Sequence, residues 1–256
     1  MRYWDSYDEI RLLQEEDELL VRINAVLDTL HIPVMGHLGE MFDCDERFLL
    51  TFTELDHYPQ RESTRYLGMF PQPAYGAAPV WPKVPGPRVF AYLHPWKTLP
   101  ELFALLGEME CSALVYAPDL PEALRRQSAS ERVLFSDRPL DVSKAGGECD
   151  FAITNATLAT TSALLILGKP VIMIPLNLEQ VMVARRVESL GAGINIIRGE
   201  PAAMREALRL LLETGTHATA ARAFAARYTG LDQQWQTRQM LQSIEELLAQ
   251  PPNPTG

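Results

Sequence analysis

Apolar residues in this chain recur first at helical and then at strand spacing, and the changes of period lay out its elements. From Asp8 to Leu30 they fall at Ile10, Leu13, Leu19, Leu20, Ile23, Val26, Leu27 and Leu30, with Glu and Asp filling the other face. That pattern predicts one amphipathic helix, and Pro33 closes it. Arg47 to Phe52 is a short apolar run that reads as a strand, followed by the polar turn Glu54-Leu55-Asp56-His57-Tyr58-Pro59. Gly68 to Pro87 is rich in proline and poor in apolar residues in register, which reads as a linker settling over 76–87.

After the linker the alternation becomes regular. Strands are predicted at Arg88–Leu93, Ser112–Ala117 and Arg132–Phe135, with helices at Leu99–Met109 and Pro121–Gln127 between them. The stretch from Asp150 to Ile196 then reads strand (Phe151–Ile153), Thr/Asn-rich turn, helix (Thr160–Leu167), Gly168-Lys169-Pro170, β-branched strand (Val171–Ile174), Pro175 and helix (Leu178–Leu190). Gly193–Ile197 is the last strand, and helices over Pro201–Glu213, Ala218–Tyr228 and Gln233–Ala249 close the chain. Short strands alternating with helices through right-handed crossovers give an α/β fold with a doubly wound parallel, Rossmann-like sheet. The expected divisions are 1–75, the linker 76–87, the sheet domain 88–232, and a C-terminal helix and tail over 233–256.

Composition narrows the function. With 256 residues the chain can bury a full core, and 47% hydrophobic with 22% charged residues is ordinary for a globular protein. The formal charge of −10 argues against a general nucleic-acid binder, which needs a basic face. Cys44, Cys111 and Cys149 are an odd number at no metal-ligand spacing and fit a reducing compartment. The acidic N-terminus lacks the apolar stretch of a signal peptide, and no run of eighteen apolar residues occurs, so the expected location is cytoplasmic with no membrane span.

Chemistry in such a sheet belongs at the carboxyl ends of the strands, where helix N-termini expose N–H groups. Asn155, Thr157, Thr160 and Thr161 crowd the first such corner, and Asn177, Glu179 and Gln180 the second. Hydroxyls and amides at a helix start suit a phosphate. A carboxylate beside a carboxamide suits sugar hydroxyls. His94, after the first strand of the sheet domain, can touch a phosphate together with Lys97, or is a surface histidine beside Pro95. His57 is a weak candidate for a general base, the other reading being a turn histidine. Asp43-Cys44-Asp45 has no third ligand in view and reads as an accidental pair of loop acids; no metal is expected.

Gly168-Lys169-Pro170, Pro175, Glu179-Gln180, Ala184-Arg185-Arg186 and Leu190-Gly191-Ala192-Gly193 together resemble the donor-binding C-terminal half of the UDP-glycosyltransferase superfamily, whose fold is GT-B. The resemblance extends more loosely over Pro87 to about Gln250. It implies that 88–232 binds a nucleotide diphosphate sugar such as a UDP-sugar, and that 1–75 is the remnant of a truncated acceptor domain. It also implies that Glu179 and Gln180 contact the donor sugar, and that Arg138, in the loop Phe135–Leu140, lies against the nucleotide base.

The chain departs from the family at Asn155-Ala156-Thr157-Leu158, where members carry a histidine followed by Gly-rich residues over the diphosphate. It departs again at Ala163, where many place a glutamate on the ribose, with Ser162 as the only replacement. The catalytic histidine of inverting members lies in a region this chain lacks. The implied activity is hexosyl transfer by a donor-binding portion that is incomplete alone, needs no cofactor, and takes an unknown acceptor through a partner chain or homo-oligomer. The alternative is a catalytically silent nucleotide-sugar-binding or assembly module.

Overall fold

The structure is a computed structural model that describes residues 9–58, 64–70 and 76–249. The predicted helix start at Asp8, the turn's end at Pro59, the linker prolines Pro71 and Pro73 and the tail 250–256 lie outside the described residues. The chain divides into two compact units, Met1–Arg47 and Phe48–Gly256.

The first unit is α1 (Glu9–Thr29), a turn, and a 3-10 helix over Leu38–Phe42. The Asn24 side chain clamps the chain that follows the helix, donating to Met35 O at 2.9 Å and accepting from Met35 N at 2.9 Å. The predicted apolar stripe is present but stays uncovered: Ile10, Leu13, Val26 and Leu30 are each more than half exposed.

The second unit begins with β1 (Phe48–Leu49), which pairs in parallel with β2 (Arg65–Tyr66). The strand expected over Arg47–Phe52 is thus only two residues long, because Phe52 and Leu55 turn into the core instead of continuing a ladder. Phe52 packs edge-on against Phe70 and Phe224. Gln236 Nε2 donates to Gly68 O at 2.7 Å.

The large sheet has the order β5-β4-β3-β6-β7-β8, all parallel, from β3 (Arg88–Tyr92), β4 (Ser112–Tyr116), β5 (Val133–Phe135), β6 (Phe151–Thr154), β7 (Val171–Met173) and β8 (Gly193–Asn195). This is the doubly wound Rossmann order, and its direction of winding reverses between β3 and β6. Side chains alternate across the sheet, as a period of two requires. Val89, Ala91, Ile153 and Ile172 face one core, packed with α2 (Leu99–Glu108) and α7 (Pro201–Glu213). Phe90, Ala152, Val171 and Met173 face the other, packed with α4 (Val142–Glu148), α5 (Leu158–Ile166), α6 (Leu178–Ser189) and α8 (Thr216–Arg227). Both faces are covered, which is why the strands read as continuous apolar runs. The short α3 (Glu122–Ser128) and the last helix, α9 (Gln233–Leu248), complete the described elements.

Two features lie outside the periodicity. Helix α4, of sequence VSKAGGE, carries two glycines and too few apolar residues to show a pattern; Asp141 starts it by accepting from Lys144 N at 3.2 Å. The proline-rich stretch is tied down along the sheet unit. Ala77 bridges to Leu140, and Trp81 Nε1 donates to Glu148 at 2.8 Å while Arg88 lies 5.4 Å over its ring. At Gly86 (φ +124°) any Cβ would stand 2.2 Å from Glu110 O, so only glycine fits.

Candidate functional site

The reversal between β3 and β6 opens a crevice at the carboxyl ends of the strands, and its floor is a single side chain. Asn155, 2% exposed, follows β6. Its Oδ1 accepts from His94 N at 2.6 Å and its Nδ2 donates to Ile174 O at 2.8 Å. Those two residues follow β3 and β7, so one carboxamide ties three strand ends together. The corners after β6 and β7 are adjacent, since Thr154 also pairs with Met173 in register.

The next residue, Ala156, is fully buried and left-handed, at φ +60°. Its N–H bonds to Thr154 Oγ1 at 3.1 Å. Such a backbone costs an alanine about 1–2 kcal/mol and is held only when its surroundings over-determine it. It is also the position at which the resembled family turns Gly-rich.

Thr157 precedes α5 without capping it, and among the described residues no side chain is seen to satisfy the first N–H groups of that helix. A small pocket of about 60 Å³ lies there, lined by Tyr92, His94, Thr154, Asn155, Thr157 and Thr160. At roughly 30 Å³ per liquid water, it takes one polar group of a ligand whose remainder lies across the mouth.

The start of α6 is built differently. Asn177 accepts from Gln180 N at 3.0 Å, and Gln180 Oε1 accepts from Leu176 N at 2.7 Å. This reciprocal pair satisfies one N–H of the helix and one of the chain before it. Glu179, between them, is exposed and carries no recorded partner among the described residues.

The sequence-derived candidates therefore separate. Asn155, Thr157, Thr160 and His94 line one pocket. The oxygens of Asn155 and Gln180 are engaged by backbone N–H groups, so both side chains brace the corners they stand at. Thr161 and Ser162 are fully buried, with hydroxyls that have no partner among the described residues, and neither lines the pocket. Lys97 and Arg138 are exposed and outside the lining; Ser136 Oγ braces the Arg138 loop, donating to Arg138 O at 2.7 Å. His57 is half-buried, just after the 3-10 turn Thr53–Leu55, and lies outside the lining too.

The sequence reading missed Asp119. It follows β4, and its Oδ2 stands 2.7 Å from His94 Nδ1. A histidine and an aspartate just past neighbouring strands of a parallel sheet were a legible signal, but the Ala117-Pro118-Asp119 turn carries no motif. Away from the crevice, burial pushes the Cys149 thiol up to about 12, opposed by Lys169, and raises the Cys111 thiol as well. Among the described residues no three His, Cys, Asp or Glu side chains converge as a metal site.

The sheet order and its reversal between β3 and β6 define a doubly wound, Rossmann-like class of fold. No protein-family model matches the chain, and a search of the curated proteins finds no match. Solved structures do match. The calicheamicin glycosyltransferase CalG4 aligns at TM-score 0.67 and 15% identity, over 96% of this chain and 68% of its own. The spinosyn forosaminyltransferase SpnP aligns at 0.66 and 15%, over 97% of this chain and 65% of its own. The spinosyn rhamnosyltransferase SpnG complexed with thymidine diphosphate aligns at 0.59 and 16%, over 73% of this chain and 55% of its own. The chain has the fold of the GT-B glycosyltransferases, over about half to two thirds of their length.

Proposed function

We propose that the chain binds a nucleotide diphosphate sugar across the β3, β6 and β7 corners and supplies the donor site for hexosyl transfer to an acceptor held by another domain or chain. The observation that carries this reading is the uncapped N-terminus of α5 opening on the pocket at the sheet's reversal. Free N–H groups and the helix dipole act together on an anion there. A formal charge of −10 gives a diphosphate no overall attraction to the chain, so its binding relies on such local donors. Thymidine diphosphate in the SpnG structure supports the choice of ligand class.

In this reading Thr157 and Thr160 donate to the diphosphate, Asn155 fixes the corner, and exposed Glu179 takes sugar hydroxyls. Arg138 stacks on the base as its loop meets the ligand. Thermal unfolding with UDP-glucose, thymidine diphosphate glucose, the bare diphosphates and the nucleosides is the test. A ligand at one hundred times its Kd stabilises by about 2.7 kcal/mol. Every diphosphate should raise the midpoint and the nucleosides should not; equal, null responses to all would refute the reading. Glu179→Ala should weaken the nucleotide sugars more than the bare diphosphates, and equal loss for both would remove Glu179 from the sugar site.

A further inference from the structure

His94, a phosphate candidate from the sequence, is paired with Asp119, to which the donor reading gives no role. His94 is held at both ends: its peptide N–H by Asn155 and its ring by Asp119, with Nδ1 2.7 Å from the carboxylate. An ionised carboxylate only accepts, so Nδ1 carries the proton and Nε2 is the ring atom left for a ligand. His94 lines the same pocket as Thr157 and Thr160, the residues at the start of α5.

We propose, resting on the donor-site reading above, that Asp119 positions His94 as a proton-dependent anchor for the diphosphate. As the ligand binds, Nε2 takes one proton from solvent and donates a charge-assisted hydrogen bond to a phosphate oxygen. The groups that face the ring make this specific. From β3, Tyr92 lies 6.2 Å away between ring centres, itself packed on Tyr116 of β4. From the β4 end comes Asp119. From β6 and α5 come Thr154, Asn155, Thr157 and Thr160, none of which titrates near neutral pH. Lys97, three residues on, is exposed and has no recorded contact with the ring. Among the described residues Asp119 is the charged group seen on the imidazole, and an arriving diphosphate adds a second anion that favours the imidazolium. Asp119 acts through His94 and is a positioning residue.

The test is calorimetry of thymidine diphosphate glucose and UDP-glucose at pH 7.5, in two buffers of different ionisation enthalpy. Both phosphates of these ligands are esterified and have no second ionisation near neutral pH, so a proton taken up belongs to the protein. The wild-type chain should take up a measurable fraction of a proton on binding. His94→Gln should abolish the uptake and weaken binding about tenfold, the scale of one charge-assisted hydrogen bond. Asp119→Asn should reduce both effects, with about threefold weaker binding. The His94 and Asp119 side chains are 44% and 65% exposed, so unchanged thermal midpoints in the unliganded variants are expected. Binding with no proton uptake, or equal affinity in all three proteins, overturns the anchor and leaves the donor site standing. Failure of the wild-type chain to bind either ligand overturns both.

Discussion

Asn155 is the side chain whose removal the fold should register most sharply. Asn155→Ala deletes an acceptor for His94 N–H and a donor for Ile174 C=O, and the 2% exposure of Asn155 leaves little water to replace it. A buried backbone group without a partner costs about 1–3 kcal/mol. Two such groups, one of them beside the pocket and able to recover some solvent, give a destabilisation of about 2–4 kcal/mol. Asn155→Asp separates the two bonds. The carboxylate still accepts from His94 N–H but faces the Ile174 carbonyl, acceptor against acceptor. Burial raises a carboxyl pKa, and the protonated acid can donate to Ile174. The folded value then exceeds the unfolded one, so this variant should lose stability as pH rises through the folded value and approach the wild type in acid. Urea unfolding followed by tryptophan fluorescence reads both. A loss below about 1 kcal/mol for Asn155→Ala, or a pH-independent deficit for Asn155→Asp, would show that the carboxamide does not tie the three strand ends.

Four further outcomes follow from the same structure. Ala156→Val should cost about 2 kcal/mol or more, because a β-branched residue at φ +60° in a fully buried site is both strained and crowded; Ala156→Gly should stay within about 1 kcal/mol, and unfolding midpoints compare them. Glu54 is raised by burial but lowered more by hydrogen bonds from Tyr228 and Arg227, for a net value below 4.5; its contribution is present above that value and lost as pH falls through the lower folded one, so Glu54→Gln should lose stability at neutral pH and less in acid. A thiol reagent should label exposed Cys44 in the native chain and reach buried Cys111 and Cys149 only on unfolding, and fast labelling of all three would contradict their burial. We propose that the uncovered stripe of α1 drives self-association; sedimentation should show concentration-dependent assembly that Leu13→Lys weakens, and a monodisperse monomer would contradict it.

The fold was legible where burial on both faces leaves continuous apolar runs. Strands such as Ser112–Tyr116 and Val171–Met173 fall within a residue or two of their predicted bounds, and so do the helices with an apolar stripe. Alternation of strand and helix then leaves few topologies, and the Rossmann order is among them. The losses have local causes. Helix α4 holds Gly146 and Gly147, which weaken its pattern; its register depends on the Asp141 cap and on Ala145 meeting the second core. Strand β2 is two residues long and gains its pairing only from β1 across the chain, so no period could announce it. Helix α5 begins at Leu158 instead of Thr160, because Thr157 already has extended backbone at the helix start. That shift turns Thr161 inward and leaves Thr157 and Thr160 at the pocket.

The site was legible in residue type and illegible in allocation. Asparagine and threonine at a helix start can serve either a ligand or the helix itself, and spacing alone does not divide them. The two corners differ: Asn177 caps Gln180 N in α6 and Gln180 in turn holds Leu176 N, whereas Thr157 stands at the capping position of α5 without a side-chain cap. A cap contributes about 1 kcal/mol, and the neighbouring Ala156 adds left-handed strain, so the first corner stays less stable than residues one rotamer away could make it. Corners kept open at such a cost are where ligand anions gain most, because the donors are already oriented and need no rearrangement on binding. In the proposed function the anion lies at α5, while the start of α6 presents Glu179, a side chain suited to neutral hydroxyls and repelled by phosphate. On that proposal the charged and the sugar ends of one ligand fall on adjacent strand ends, which the Asn155 carboxamide ties together.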